Sequence, residues 1–84
     1  MMYQQQERHL AAEESMYYGA MLKIELAVLY APNLKPDIAR RRLTKWIGKN
    51  KALLAELTKR GYTERLQYFT TAQVRLIVEY LGEP

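Results

Sequence analysis

The sequence predicts a mainly α protein: a small helical domain with a helix-turn-helix-like core of about four helices and room for a short two-stranded ribbon. Three observations carry this reading. Apolar residues recur at helical spacing in four separate stretches between residues 20 and 81. Pro32, Asn50, Gly61 and Gly82 fall between or after those stretches, where helices start and stop. The chain has 84 residues, 49% of them hydrophobic, which is enough for one modest core and too little for two.

Residues 1–15 are polar, and Tyr3, Leu10 and Ala11 make no continuous stripe, so they read as an N-terminal arm or a marginal helix. His9 stands there in polar company with no second ligand nearby. Residues 16–84 read as a single helical domain. Ser15 to Tyr18 is a short extended piece closed by Gly19. From Ala20 to Ala31, Leu22, Leu26, Leu29 and Tyr30 share one helix face, while Lys23, Glu25 and Ala27 fall elsewhere. Pro32 cannot continue that helix and pushes Ala31 out of helical geometry.

Pro36 suits the first turn of a second helix, where its missing N–H is no loss, and Asp37 sits near the positive end of the dipole. At about 100° per residue, Ala39, Leu43, Trp46, Ile47 and Asn50 gather on the inward side. Asp37, Arg41, Thr44, Lys45 and Gly48 face outward, with Arg40 and Lys49 on the flanks. Arg42 lies beside the inward stripe, its stem over the core and its head in water. Gly48-Lys49-Asn50 interrupts the pattern.

Asn50 then caps a third helix that turns Leu53, Leu54 and Leu57 inward and stops at Gly61. Tyr62 to Phe69 has the alternation of a short strand or extended connector, and Met16 to Tyr18 is its expected ribbon partner. Thr70 and Gln73 form a capping box for the last helix, in which Val74, Ile77, Val78 and Leu81 repeat at core spacing until Gly82.

Composition removes several function classes. With no cysteine there is no disulfide, zinc-thiolate site or thiol nucleophile. One histidine and one serine leave hydrolytic catalysis almost without material. Glu13 and Glu14 are adjacent and diverge on a helix, and there is no phosphate-binding glycine loop, so neither an enzyme nor a cofactor nor a small-molecule substrate is expected. Of the seven tyrosines, Tyr17, Tyr18, Tyr30, Tyr62, Tyr68 and Tyr80 sit at element ends or beside apolar stripes, with phenol heads expected to reach water. The longest uncharged apolar run, Leu26 to Pro32, is far short of the roughly 18 residues of a membrane span, and the N-terminus lacks the layout of a signal peptide; a cytoplasmic protein is expected.

Charge is distributed unevenly. Residues 35–60 hold nine Lys or Arg against Asp37 and Glu56, a net of +7, while the whole chain is only +4. Such concentration favours a polyanionic partner, although a solvated basic helix face accounts for it too. A short helix, a tight turn and a second helix bearing cations and a hydroxyl on its outer face form the pattern of a DNA reader. Arg40, Arg41, Thr44 and Lys45 are the candidates near the start of that helix. Lys35 and the free N–H groups there suit a phosphate. Lys49, Lys51, Lys59 and Arg60 extend the backbone contacts. Duplex DNA is the expected partner, with a homodimer as an option. The alternatives are a protein-interaction module docking an acidic partner or self-associating through the tyrosine-rich edge, and a structural protein whose charge is solubilising.

The order Glu25-Leu26-Ala27-Val28-Leu29-Tyr30-Ala31-Pro32, Ala39, Leu43, Trp46-Ile47, Gly61-Tyr62 and Phe69-Thr70 followed by Gln73-Val74-Arg75-Leu76-Ile77 resembles a known pattern. It is similar to a short, uncharacterised domain-of-unknown-function family of gut Bacteroidales and their mobile elements, over about residues 22–83. The resemblance implies a bacterial or phage-associated setting and, from the helix-turn-helix look of the members, a link to DNA. It implies no individual functional residues.

Overall fold

Two prolines set the first helical boundary. The computed structural model describes residues 19–84. Strand β1 (Met21–Leu22) runs directly into α1 (Lys23–Tyr30), and α2 (Pro36–Lys49) begins with proline in its first turn. Ala31 leaves helical geometry ahead of Pro32, as the steric conflict with a following proline ring requires. Helix α3 (Lys51–Lys59), strand β2 (Tyr68–Phe69) and α4 (Thr71–Leu81) follow among the described residues. The expected mainly helical architecture with a small ribbon is what forms.

The caps follow the residue types. Asn50 Oδ1 accepts from Leu53 N–H at 3.0 Å, opening α3. Thr70 Oγ1 accepts from Gln73 N–H at 3.2 Å while Gln73 Oε1 accepts from Thr70 N–H at 2.9 Å, completing the expected capping box. At the end of α3, Gly61 takes φ +87°. Its N–H bonds to the Thr58 carbonyl and the Tyr62 N–H to the Leu57 carbonyl, so the chain reverses in a Schellman motif.

The ribbon is antiparallel, with Met21 opposite Phe69 and Leu22 opposite Tyr68. Lys23 N–H donates to the Gln67 carbonyl at 2.8 Å, continuing the pairing into α1. Helices α1 and α4 therefore both start at the ribbon, and their far ends are joined where the Tyr30 hydroxyl donates to the Gly82 carbonyl. All four helices, the 60–67 connection and β2 contribute to a core of Leu26, Ala27, Ala39, Leu43, Ile47, Leu53, Leu57, Tyr62, Phe69, Val74 and Ile77. Trp46 is half-buried at its rim, edge-on to the Tyr30 ring with centroids 6.3 Å apart.

Several expectations change. The strand opposite Tyr68–Phe69 is Met21–Leu22; Met16, Tyr17 and Tyr18, like the arm 1–15 and His9, lie outside the described residues. Leu22 is a ribbon residue and 44% exposed, not the first inward position of α1, and Leu29 is 47% exposed. The buried face of α1 is Lys23, Leu26 and Ala27. A lysine in the apolar stripe is what misled the periodicity. Helix α2 passes through Gly48 and ends only at Asn50, because a single residue in extended geometry (φ −93°, ψ 94°) suffices to separate it from α3. Tyr62 also departs from the rule for tyrosine heads, since its hydroxyl is buried with no hydrogen-bond partner among the described residues.

Candidate nucleic-acid interface

Helix α2 is amphipathic in an uneven way. Its inward residues Ala39, Leu43 and Ile47 are buried against the other helices, and α1 is its main neighbour. The remaining surface holds Arg40, Arg41, Arg42, Lys45 and Lys49. Ile38, Arg41, Arg42 and Lys45 are spaced i, i+3, i+4, i+7, so they share one face of the helix. Together they line an open recess of about 360 Å³. Lys49 falls on the same stripe at about 100° per residue, which extends it to roughly 16 Å at the helical rise.

The predicted cations are thus divided by the structure. Arg41, Lys45 and Lys49 are exposed on the stripe, and no carboxylate among the described residues pairs with them. Arg42, expected only to cover the core edge, is exposed on the same stripe. Its position four residues after Ile38 was the available signal. Ile38 is 39% exposed on that stripe, and a lone apolar residue among charges carries no pattern in the sequence.

Arg40 and Thr44 lie on the far flank. Arg40 is held 3.6 Å from Asp37, one turn back, with its side chain 32% exposed. The Thr44 hydroxyl donates to the Arg40 carbonyl at 3.1 Å, satisfying itself on its own helix. Lys35 is exposed at the N-cap of α2, without a side-chain cap, and Lys51 is exposed at the start of α3. Lys59 and Arg60 are exposed at the end of α3 but are engaged by one carboxylate. Both bind the Glu56 carboxylate, at 3.3 and 3.1 Å, and these bonds hold the Glu56 carboxyl below the usual carboxylate range.

A second charged feature lies inside the domain. The Lys23 side chain is 1% exposed, and its ammonium donates to the Glu64 carbonyl at 2.8 Å while standing 5.9 Å from the centre of the Tyr62 ring. Burial lowers its pKa from the ordinary lysine value, Arg40 adds to the lowering, and Glu64 opposes it. Burial and Glu64 push the Tyr62 phenol up. Gln73, also buried, donates to the Arg60 carbonyl at 2.8 Å. These contacts fix the 60–67 connection against α1 and α4.

No cluster of three or more His, Cys, Asp or Glu suited to a metal occurs among the described residues, and none of their helices is long and apolar enough to cross a membrane. Fold and surface together define a small ribbon-tied helical domain with a cationic face on α2. Residues 17–84 match the family described as Domain of unknown function (DUF4248), and the chain belongs to it. No curated protein matches the chain. No solved structure does either.

Proposed function

We propose that this protein is a small helix-turn-helix-like DNA-binding protein, a regulator or accessory factor without enzymatic activity, that meets duplex DNA through α2. The observation that carries the reading is the stripe of Arg41, Arg42, Lys45 and Lys49. These four cations stand in solvent on one helix face, with no acidic partner among the described residues. Long cationic side chains held on a rigid helix neutralise phosphates and release their condensed counterions. Lys35 and Lys51 flank the face and suit backbone contacts; Arg40 and Thr44 contribute less, since each is already bonded within α2. A bacterial, cytoplasmic setting, among mobile elements, agrees with the resemblance of its motifs and with a DNA partner.

Titration of random duplex DNA at low salt tests the proposal. Affinity should fall as salt rises, with log K against log salt sloping at about −2.7 to −3.6 for three to four phosphates neutralised. Absence of binding at roughly 50 mM salt removes the reading.

A second reading, a protein-interaction module, draws on the ribbon. Leu22 and Tyr68 oppose one another there and are 44% and 53% exposed, a pair of large apolar side chains on one face. A homodimer that dissociates on Leu22→Ser or Tyr68→Ser, in a protein without DNA affinity, supports that reading instead.

A further inference from the structure

Among five residues on the exposed stripe of α2, one is not a cation. Ile38 stands at its head, 39% exposed, and shares its recess with Arg41, Arg42 and Lys45. Its side chain can neither donate nor accept a hydrogen bond, so it adds nothing to phosphate binding. In the major groove of duplex DNA the one base-edge group that rewards an apolar contact is the 5-methyl of thymine. We infer that Ile38 reads that methyl group, making α2 selective for thymine at the position it meets; the inference rests on the DNA-binding reading above.

The arrangement suits the contact. Arg41 and Arg42, three and four residues on, flank Ile38 at the next turn, and Lys45 lies a further turn along the same line. Cations placed on either side of an apolar contact hold the helix to the backbone while the apolar group reaches the base edge. An anionic membrane surface is a poorer match, because interfacial helices bury a broad apolar face and that face of α2 is already occupied by the core at Ala39, Leu43 and Ile47.

The test compares an alternating adenine–thymine duplex with the same duplex carrying deoxyuridine for thymine, which differs only by the methyl groups. The parent protein should bind the thymine duplex about fourfold more tightly, the factor expected for burying one CH₂-sized group. Ile38→Ala should bind both duplexes equally with an unchanged salt slope. Ile38→Val, which keeps both γ carbons of the branch and loses only the δ methyl, should retain most of the preference. Thermal unfolding of each variant checks that the fold is kept. Salt-dependent binding by the parent without discrimination between the duplexes overturns the inference and leaves the DNA-binding reading standing. Loss of all duplex affinity in the parent, or binding to anionic vesicles that Ile38→Ala alone abolishes, overturns it together with that reading.

Discussion

The Lys23 ammonium donates to the Glu64 main-chain carbonyl across 41 residues of sequence, from a side chain that is 1% exposed. Two parts of the residue have different jobs: the stem fills the core beside Leu26 and Ala27, and the head binds a carbonyl at the edge of the 60–67 connection. Lys23→Ala should destabilise by about 2–4 kcal/mol, in the range for emptying a large buried side chain. Lys23→Met keeps the stem volume and removes the buried charge, and water can replace the head because Glu64 is exposed. It should lie within about 1 kcal/mol of the parent. Chemical denaturation of the two variants measures the difference, and equal losses would assign the role to the ammonium.

The lowered pKa of Lys23 gives a signed dependence on pH. Between that lowered value and the usual 10.5, the unfolded chain binds the proton more often than the folded one. Stability contributed by this group therefore rises with pH through that window, and is lower by a constant amount below it. Lys23→Met should abolish this rising component. Denaturation midpoints measured from neutral to alkaline pH in parent and variant isolate it by subtraction.

Tyr62 acts in the opposite sense. Its pKa is raised above 10.0, so the folded chain retains the phenolic proton longer, and stability is lost as pH rises from 10.0 through the raised value. The same hydroxyl is buried without a partner among the described residues, a state that costs about 1–3 kcal/mol of desolvation. Tyr62→Phe keeps the ring against Phe69, 6.1 Å between centroids, and removes the oxygen. It should stabilise by about 1 kcal/mol, raise Tm by roughly 4–8 °C for a domain of this size, and eliminate the alkaline loss. A lower Tm would mean that the hydroxyl does find a partner.

One substitution should have opposite signs at two glycines. Gly48 lies within α2, and a Cβ there meets nothing within 4 Å. Gly48→Ala should stabilise by up to about 1 kcal/mol through helix propensity. Gly61 also has open space, but its φ of +87° is the left-handed turn that ends α3. Gly61→Ala should cost about 1–2 kcal/mol through backbone strain. Thermal melts of the two single variants decide the matter, and a gain at both sites would show that φ at residue 61 readily relaxes.

Much of the fold was legible because its signals are local. Pro32 and Pro36, Asn50, Gly61 and the Thr70–Gln73 pair each act within a few residues through steric exclusion or a short hydrogen bond, so residue type alone places the helix ends at those positions. The errors fall where a distant partner decides. Lys23 is inward because Glu64 supplies a carbonyl, and Leu22 is outward because Tyr68 pairs with it; neither partner is visible from α1. At the candidate site the concentration of cations was legible, but not which of them are engaged. Glu56 claims Lys59 and Arg60, and Asp37 claims Arg40, whereas Arg42 joins Arg41 and Lys45 around Ile38.

That division of the cations yields a discriminating mutagenesis. Arg41 and Lys45 are exposed and make no ion pair with a described residue, so Arg41→Glu/Lys45→Glu removes two attractive charges and adds two repulsive ones without breaking an ion pair. Duplex binding should be abolished at about 100 mM salt, and unfolding free energy should shift by no more than roughly 0.5 kcal/mol, the usual bound for surface changes. Lys59→Glu/Arg60→Glu changes the net charge by the same amount at the far end of α3. It also breaks the pairs with Glu56, which as exposed pairs contribute little to stability. If only the total charge matters, the two double variants will lose DNA equally; if the α2 stripe is the interface, the second will bind within about tenfold of the parent while the first does not bind.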